Sequence, residues 1–267
     1  MPEWVKKFIQ SKKADIIVLT EVSTNIPNWS EELKKAFPDE QYHTFSSSNL
    51  IHYQNDIVIA IKKDKFDIGH SVSFPAKKRN IPDHLEVNCI EKTTKKIITI
   101  VGVRINSSAE PEQKRNELDL VLNSVRKKRN VIIAGDFNNF RRGYYNKDWC
   151  LEILTSSMIK EGFRIITPEG GSIYEKASKF EYQFPEDHIS FKGDLALTKV
   201  YDYDRDFTSE DPSVYKWGKD FTRYIGNGKY EYIDDPFPDH AIIEADIKLI
   251  KNGGKKIHKK YSFLLHL

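Results

Sequence analysis

The chain has 267 residues and a formal net charge of +3, with 39% apolar and 30% charged residues. A chain of this length and composition can bury one large core, so wholesale disorder is not expected, and the mildly basic charge permits a phosphate-bearing substrate without requiring one. Two isolated cysteines, no long apolar run and no signal-peptide core at the N-terminus argue against a disulfide framework, a membrane span and secretion, which favours a cytoplasmic protein.

Apolar residues follow helical spacing in some segments and form short runs or alternate with polar residues in others. In chain order, this pattern predicts a helix over residues 2–11, a strand over 14–20, a helix over 29–37, a strand over 56–61, a hairpin of 85–89 with 97–105, a helix over 111–128, a strand over 131–134, a helix over 149–161, and strands over 195–200 and 241–247. The order indicates a mixed, layered sheet protein with its helices outside.

Two segments contain no clear element. Residues 201–238 are rich in Asp, Tyr, Lys and Gly, which is typical of a long surface loop. Residues 251–267 are predicted to form a basic C-terminal tail that follows a single domain over residues 1–250.

Acidic and polar residues stand at the ends of the predicted apolar strands. They are Glu21, Asp136, Asn138, Asp194, Asp239 and His240. In antiparallel or mixed sheets the start of one strand lies beside the end of its neighbour, so we expect all of these side chains to share one edge of the fold.

Such an edge suits a magnesium-dependent reaction at phosphate. Mg²⁺ prefers oxygen ligands and usually takes one or two carboxylates plus water and phosphate, which Glu21 and Asp239 can supply. Asp136 can then orient or deprotonate the attacking water, with Asn138 holding it in place.

The predicted role of His240 is to donate to a phosphate oxygen, with Asp194 holding its ring and favouring its charged form. A second Asp-His pair, Asp187 and His188, is interpreted as part of a loop because no apolar strand of comparable length follows it.

Four short motifs in this order resemble those of the endonuclease/exonuclease/phosphatase superfamily, which includes DNase I-like and exonuclease III-like enzymes. They are Leu-Thr-Glu-Val at 19–22, Gly-Asp-Phe-Asn at 135–138, Gly-Asp-Leu-Ala-Leu at 193–197, and Asp-His-Ala at 239–241, where Pro238 stands in place of the family's Ser. The resemblance implies a four-layer α/β sandwich of two mixed, mainly antiparallel sheets. It also implies Mg²⁺- or Mn²⁺-dependent cleavage of phosphoester bonds, with the residue roles given above.

The sequence departs from the family in two places. The family's first strand, which bears an Asn of the metal site, has no counterpart among the predicted elements, and a missing inner strand would leave backbone groups unpaired. Arg104 stands where the family often has a His or Tyr near the phosphate, and we expect its guanidinium to contact phosphate.

The favoured substrate is nucleic acid, because Arg141, Arg142, Tyr144 and Tyr145 follow the Gly-Asp-Phe-Asn motif and can combine phosphate contacts with base stacking. Two alternatives stay open at this point. One is a phosphatase for a small or lipid-derived phosphoester, and the other is a truncated, inactive member that binds phosphate without turnover.

Overall fold

The structure is a computed structural model that describes residues 3–22, 28–47, 56–74, 83–139, 149–167, 171–177, 180–201, 222–226, 229–232, 240–250 and 260–266. Its helices are α1 (Glu3–Lys12), α2 (Trp29–Ala36), α3 (Pro111–Val125) and α4 (Leu151–Lys160). Among the described residues, no helix has both the length and the apolar composition that a bilayer crossing requires.

The strands, in chain order, are β1 (Ile16–Val22), β2 (Tyr42–Ser46), β3 (Asp56–Lys62), β4 (Phe66–Phe74), β5 (Asp83–Glu91), β6 (Ile97–Arg104), β7 (Val131–Asp136), β8 (Arg164–Ile166), β9 (Ile173–Ala177), β10 (Phe180–Phe184), β11 (Asp187–Lys192), β12 (Leu195–Tyr201), β13 (Thr222–Gly226), β14 (Lys229–Tyr232), β15 (Ile243–Leu249) and β16 (Lys260–His266).

These strands form two six-stranded sheets, ordered β12-β15-β16-β1-β3-β2 and β4-β5-β6-β7-β11-β8, beside two small hairpins, β9-β10 and β13-β14. The pairs β1-β16 and β6-β7 are parallel, and the other neighbours within the sheets are antiparallel. The predicted fold class, α/β with mixed and mainly antiparallel sheets, is therefore confirmed.

Apolar residues fill three cores, because successive side chains of a strand point to opposite faces of its sheet. Ile16 and Val18 of β1 pack with Ile132 of β7 in a core that both sheets share. The other face of β1 packs with α1 and α2, and the other face of β7 packs with α3 and α4. The buried strand at β1 and the apolar stripe of α3 are thus placed as their sequence patterns predict.

The predicted C-terminal tail is wrong for Lys260–His266, which forms β16 inside the first sheet. This strand pairs antiparallel with β15 and parallel with β1, where Ile16 faces Phe263 in register. As a result β1 is hydrogen-bonded on both sides, by β16 and by β3, so the unpaired backbone expected beside a missing inner strand does not occur at β1. Basic residues precede the short apolar run of β16, so the sequence pattern did not predict a strand there. Pairing with the distant strands β15 and β1 determines its structure.

The segment predicted as a long loop, residues 201–238, contains the hairpin β13-β14 in its described part. Other strands that the sequence pattern missed, including β2, β4 and β11, are short or alternate apolar with polar residues. Helix α3 begins at Pro111, after Glu110, whose backbone N–H donates to Gln113 Oε1 at 3.3 Å, and ends at Val125 rather than at residue 128.

Candidate active site

Three neighbouring strands of the second sheet bring charged side chains into one row. Arg104 at the end of β6 faces Asp136 at the end of β7, and Asp136 faces Asp187 at the start of β11. From the other sheet, Glu21 near the end of β1 reaches the same place, since Arg104 Nε donates to its Oε1 at 2.8 Å. The site therefore lies where the ends of inner strands from the two sheets meet.

Glu21 has an unusual backbone for a glutamate, with φ of 55° in the left-handed region. Non-glycine residues in this region are strained and occur often at functional sites. Burial raises the pKa of the Glu21 carboxyl, but the charges of Arg104 and His240 and the Arg104 hydrogen bond outweigh it, so its pKa is lowered overall. Glu21 is thus held as a carboxylate beside a guanidinium.

Asp136 and Asn138 are locked to each other. The backbone N–H of Asn138 donates to Asp136 Oδ1 at 2.7 Å, and its side-chain amide donates to Asp136 Oδ2 and, at 2.8 Å, to Ile105 O. Asn138 has φ of 45°, which turns its amide back towards β7. Burial and the neighbouring charge of Asp187 raise the pKa of Asp136 to about 7, against the opposing charges of His240 and Arg104.

His240 is held by Asp187, not by Asp194. Its Nδ1–H donates to Asp187 Oδ2 at 2.8 Å, and both side chains are buried. The backbone N–H of Asp187 donates to Ser172 Oγ at 2.9 Å, which fixes the start of β11. Burial raises the pKa of Asp187, against the attraction of His240. This is the carboxylate–histidine arrangement predicted for the site, formed with a different carboxylate.

The prediction that Asp194 joins the site is wrong. Asp194 accepts from Lys96 Nζ at 2.8 Å and forms an ion pair with Arg129 at 3.1 Å, while its backbone N–H donates to the Asn130 side chain just before β7. The cause is strand direction: β12 and β15 are antiparallel neighbours, with Leu195 facing Leu249, so their starts lie at opposite edges. Asp194 and His240 each precede one of these strands and cannot share an edge.

The interpretation of Asp187 and His188 as a loop pair is also wrong, since both lie in β11 and are fully buried. His188 Nε2 donates to Asn139 Oδ1 at 2.8 Å, and its Nδ1 accepts from the Thr167 hydroxyl at 3.0 Å. Burial lowers the pKa of His188 to about 3, so it is neutral. The signal that was missed is alternation, because Ile189 and Phe191 face the core between the sheets while Ser190 between them is polar.

Sequence reasoning missed two further buried groups near Asp136. Glu186 is 6% exposed; its backbone N–H donates to Ser172 Oγ, and its carbonyl accepts from Phe137 N at 2.8 Å. Lys114 of α3 is 1% exposed, and its Nζ donates to Asn138 O at 3.0 Å. The only sequence signal for Lys114 was a charged residue on the apolar stripe of a helix.

Glu186→Gln is expected to stabilise the metal-free protein at alkaline pH. Burial and the charge of Asp136 raise the pKa of Glu186 from 4.5 to about 8. A raised pKa means that the folded state binds the proton more tightly than the unfolded state, so the Glu186 contribution to the free energy of unfolding falls as pH rises from about 4.5 to about 8. Gln removes this loss, and the variant should gain on the order of 2–3 kcal/mol over wild type between about pH 5 and about pH 9.

Urea unfolding in EDTA at several pH values measures this difference. Glu91→Gln is a suitable comparison: burial raises the pKa of Glu91, but side-chain and backbone hydrogen bonds outweigh burial and lower it, so the Glu91 contribution changes only below about pH 4.5 and should stay constant between about pH 5 and about pH 9. A wild-type–Glu186→Gln difference that stays constant with pH would contradict the prediction.

Five of the predicted site residues, Asp239, Arg141, Arg142, Tyr144 and Tyr145, lie outside the described residues. Within the described ranges, no group of three His, Cys, Asp or Glu side chains is placed to hold a metal ion. The carboxylate of Glu21 is partly exposed. Carboxylate, carbonyl and water oxygens suit Mg²⁺ and Mn²⁺. The donor chemistry therefore fits an ion that keeps much of its water.

Several solved structures share this fold. An endonuclease/exonuclease/phosphatase family protein from Bacteroides thetaiotaomicron aligns with a TM-score of 0.63 at 14% identity, over 96% of this chain and 88% of that one. A mannosyl-6-phosphatase from the same organism aligns with a TM-score of 0.59 at 15% identity, over 92% of this chain and 89% of that one. TDP2 of D. rerio, complexed with single-strand DNA product, aligns with a TM-score of 0.55 at 13% identity, over 75% of this chain and 84% of that one.

No curated protein matches the chain by sequence. The model of the endonuclease/exonuclease/phosphatase family matches residues 2–219, which include the Leu-Thr-Glu-Val and Gly-Asp-Phe-Asn motifs and β11. The family model matches most of the chain, and the fold is shared with a solved member of that family. The chain therefore belongs to the endonuclease/exonuclease/phosphatase family.

Proposed function

We propose that this chain is a hydrolase of phosphoester bonds that depends on Mg²⁺ or Mn²⁺, and that its substrates are phosphodiesters of nucleic acid. Membership in the family supports phosphoester hydrolysis as the class of reaction. The single observation on which the proposal depends is the row of Arg104, Asp136 and Asp187 on adjacent strands. Glu21 is hydrogen-bonded to Arg104 at one end of this row, and His240 is hydrogen-bonded to Asp187 at the other.

Glu21 would hold the metal ion together with Asp239. A bound ion of this kind neutralises charge on the phosphate and lowers the pKa of bound water. The left-handed backbone at Glu21 supports this role, because it turns the carboxylate out of the ladder of β1, where the register with β3 shifts between Leu19 and Val22.

Asp136 is proposed to accept a proton from the attacking water. A general base is most effective when its pKa lies near the working pH, and the pKa of Asp136 is raised to about 7 by burial and by Asp187. The two hydrogen bonds from Asn138 fix the orientation of the carboxylate, which preserves the geometry that proton transfer requires.

His240 is proposed to donate to a phosphate oxygen, with Asp187 holding the ring. Because Nδ1–H is engaged by Asp187, the proton available to the phosphate is the one on Nε2. Asp187 thus has the role that the sequence predicts for Asp194.

Arg104 is proposed to contact the phosphate. Its guanidinium lies between Glu21 and Asp136, with Nε 3.9 Å from Asp136 Oδ2, so its positive charge lies between two carboxylates. A planar guanidinium binds phosphate well and partly offsets the repulsion between these carboxylates and an anionic substrate.

The test is hydrolysis of single- and double-stranded DNA and RNA, and of bis(p-nitrophenyl) phosphate, with Mg²⁺ or Mn²⁺. Activity should vanish in EDTA and fall by about 10²-fold or more in Glu21→Ala, because the variant removes a direct metal ligand. Glu31→Ala, which changes an exposed glutamate of α2, is the matched control and should retain activity. Metal-independent hydrolysis, or full activity in Glu21→Ala, would refute the proposal.

A phosphatase acting on a small phosphoester is the second candidate, favoured by the likeness to the mannosyl-6-phosphatase over nearly the whole of both chains. The salt dependence of the same assay separates the two. If Arg141 and Arg142 contact a polymer, replacing both with Ala should weaken binding and flatten its dependence on salt. Turnover of small substrates alone, with little salt dependence, would favour the phosphatase, and binding without any turnover would favour an inactive member.

The cytoplasmic location expected from the sequence remains part of this proposal and is tested by fractionation of the cell of origin.

A further inference from the structure

Helix α3 buries two charged residues on the face that packs against its sheet. Lys114 is 1% exposed and Glu117 is fully buried, although the rest of this face is apolar and includes Leu118, Val121 and Leu122. Charged side chains are almost never buried to this degree unless they are paired, because removing a charge from water is costly. Lys114 and Glu117 are one turn apart and therefore lie on the same face of α3.

Lys114 holds the segment that follows β7. Its Nζ donates to the backbone carbonyl of Asn138 at 3.0 Å, in the residue whose φ of 45° departs from extended geometry. That residue also supplies both hydrogen bonds to the Asp136 carboxylate. A contact that fixes the carbonyl of Asn138 therefore fixes the peptide and the side chain that orient Asp136.

Glu117 holds the segment that follows β6 in the same way. Its Oε2 accepts from the backbone N–H of Asn106 at 2.9 Å, two residues beyond Arg104. The adjoining residue, Ile105, supplies the carbonyl that receives the Asn138 side-chain amide at 2.8 Å. These hydrogen bonds connect the two segments to α3 and to each other, next to the row of charged side chains.

The charge of Lys114 also faces the buried acids of the site. Burial lowers its pKa, while Glu186, Asp136 and Glu117 act in the opposite direction, and Arg104 adds to the effect of burial. A lysine that merely filled space here would be replaceable by an apolar residue of similar length, often at no cost to stability. The contact of Lys114 with the Asn138 carbonyl and its position among acidic residues indicate a more specific role.

We propose that Lys114 and Glu117 are positioning residues of the active site, with Lys114 setting the conformation of Asn138 and, through it, the orientation of Asp136. This inference rests on the proposed function for its kinetic consequence, but its structural consequence is independent of activity. Neither residue is proposed to touch the substrate.

The test compares Lys114→Met, Lys114→Arg and Lys192→Met in the full chain. Lys192 is the matched control: it is also a buried lysine that donates to a backbone carbonyl, that of Arg126 at 3.3 Å, but it lies at the far end of β11, opposite Val131. Lys114→Met is expected to lower kcat by about 10- to 100-fold while KM changes by less than about threefold, as is typical when a group behind a reacting residue is lost. Lys114→Arg should restore much of kcat, and Lys192→Met should leave it unchanged.

Residue-level amide hydrogen exchange supplies a readout without catalysis. Lys114→Met should accelerate exchange at Phe137 and Asn138, whose N–H groups donate to Glu186 O and Asp136 Oδ1, and leave exchange at Ile132 and Ile133 unchanged. Lys192→Met should not accelerate exchange at Phe137 or Asn138. If the wild-type chain hydrolyses no phosphoester, the proposed function fails while exchange still decides this inference. Unchanged exchange at Asn138 in Lys114→Met overturns it, as does an unchanged kcat in an active enzyme.

Discussion

Replacing Asp187 with Asn is expected to lower kcat for phosphoester hydrolysis by about 10²- to 10⁴-fold, the usual contribution of a positioned proton-transfer group. Asp187 Oδ2 accepts from His240 Nδ1 at 2.8 Å inside the protein, where a charge is poorly screened. Asn preserves the shape of the side chain but removes the negative charge that favours an imidazolium. His240 then no longer donates effectively to a phosphate oxygen, although the substrate still binds.

Asp194→Asn is the matched comparison, because the sequence predicts that Asp194 holds the ring of His240. It lies in ion pairs with Lys96 and Arg129 at the opposite edge of the fold, so its replacement should leave kcat unchanged and affect stability modestly. Steady-state kinetics of both variants, with unfolding measured alongside, give the answer. Equal losses of kcat in the two variants, or full activity in Asp187→Asn, would show that the Asp187–His240 pair has no part in the reaction.

Gly135→Ala is expected to destabilise the protein by about 4 kcal/mol or more, among the largest effects of single substitutions. Gly135 lies in β7 between β6 and β11, opposite Val103 on one side and His188 on the other. A Cβ atom at Gly135 would lie 1.8 Å from Val103 O, far inside contact distance. Relief requires β7 to move away from β6, which would break the parallel ladder and displace Asp136, the next residue.

Gly162→Ala serves as the control for the general cost of replacing a glycine. Gly162 follows α4 with φ of 82°, and a Cβ atom there would meet nothing within 4 Å. Its replacement should cost only the strain of a left-handed backbone, about 1–2 kcal/mol. Chemical unfolding of both variants measures the difference. A Gly135→Ala variant no less stable than Gly162→Ala would mean that β6 and β7 are less closely paired than the structure shows.

The Gly-Asp-Phe-Asn motif has a physical explanation at each described position. Gly135 permits the close approach of β6, Asp136 stands at the end of the strand in register with Arg104 and Asp187, and Phe137 is fully buried in the core beneath α3 and α4. Asn138 turns back through a left-handed backbone to bond Asp136. The motif therefore places one buried carboxylate in a fixed orientation at the site.

The amino-acid sequence by itself predicted the main elements of the fold and several residues of the candidate site. Runs of apolar residues predict β1, β3 and β7, and helical spacing predicts α1 to α4, because burial depends on local periodicity that can be read within one segment. The same reasoning placed Glu21, Asp136 and Asn138 at or just beyond the ends of apolar strands, because a strand end can be read within one segment.

The tertiary structure alone decided which remaining residues join them. Asp187 and His240 are 53 residues apart, and Lys114 and Asn138 are 24 apart. Sequence spacing does not state whether two strands run parallel or antiparallel, and antiparallel pairing of β12 with β15 sends Asp194 to the far edge. Likewise, β16 has a short apolar run behind basic residues, and only its fit between β15 and β1 makes it an inner strand. Strand direction and register arise from long-range pairing, which local patterns do not encode.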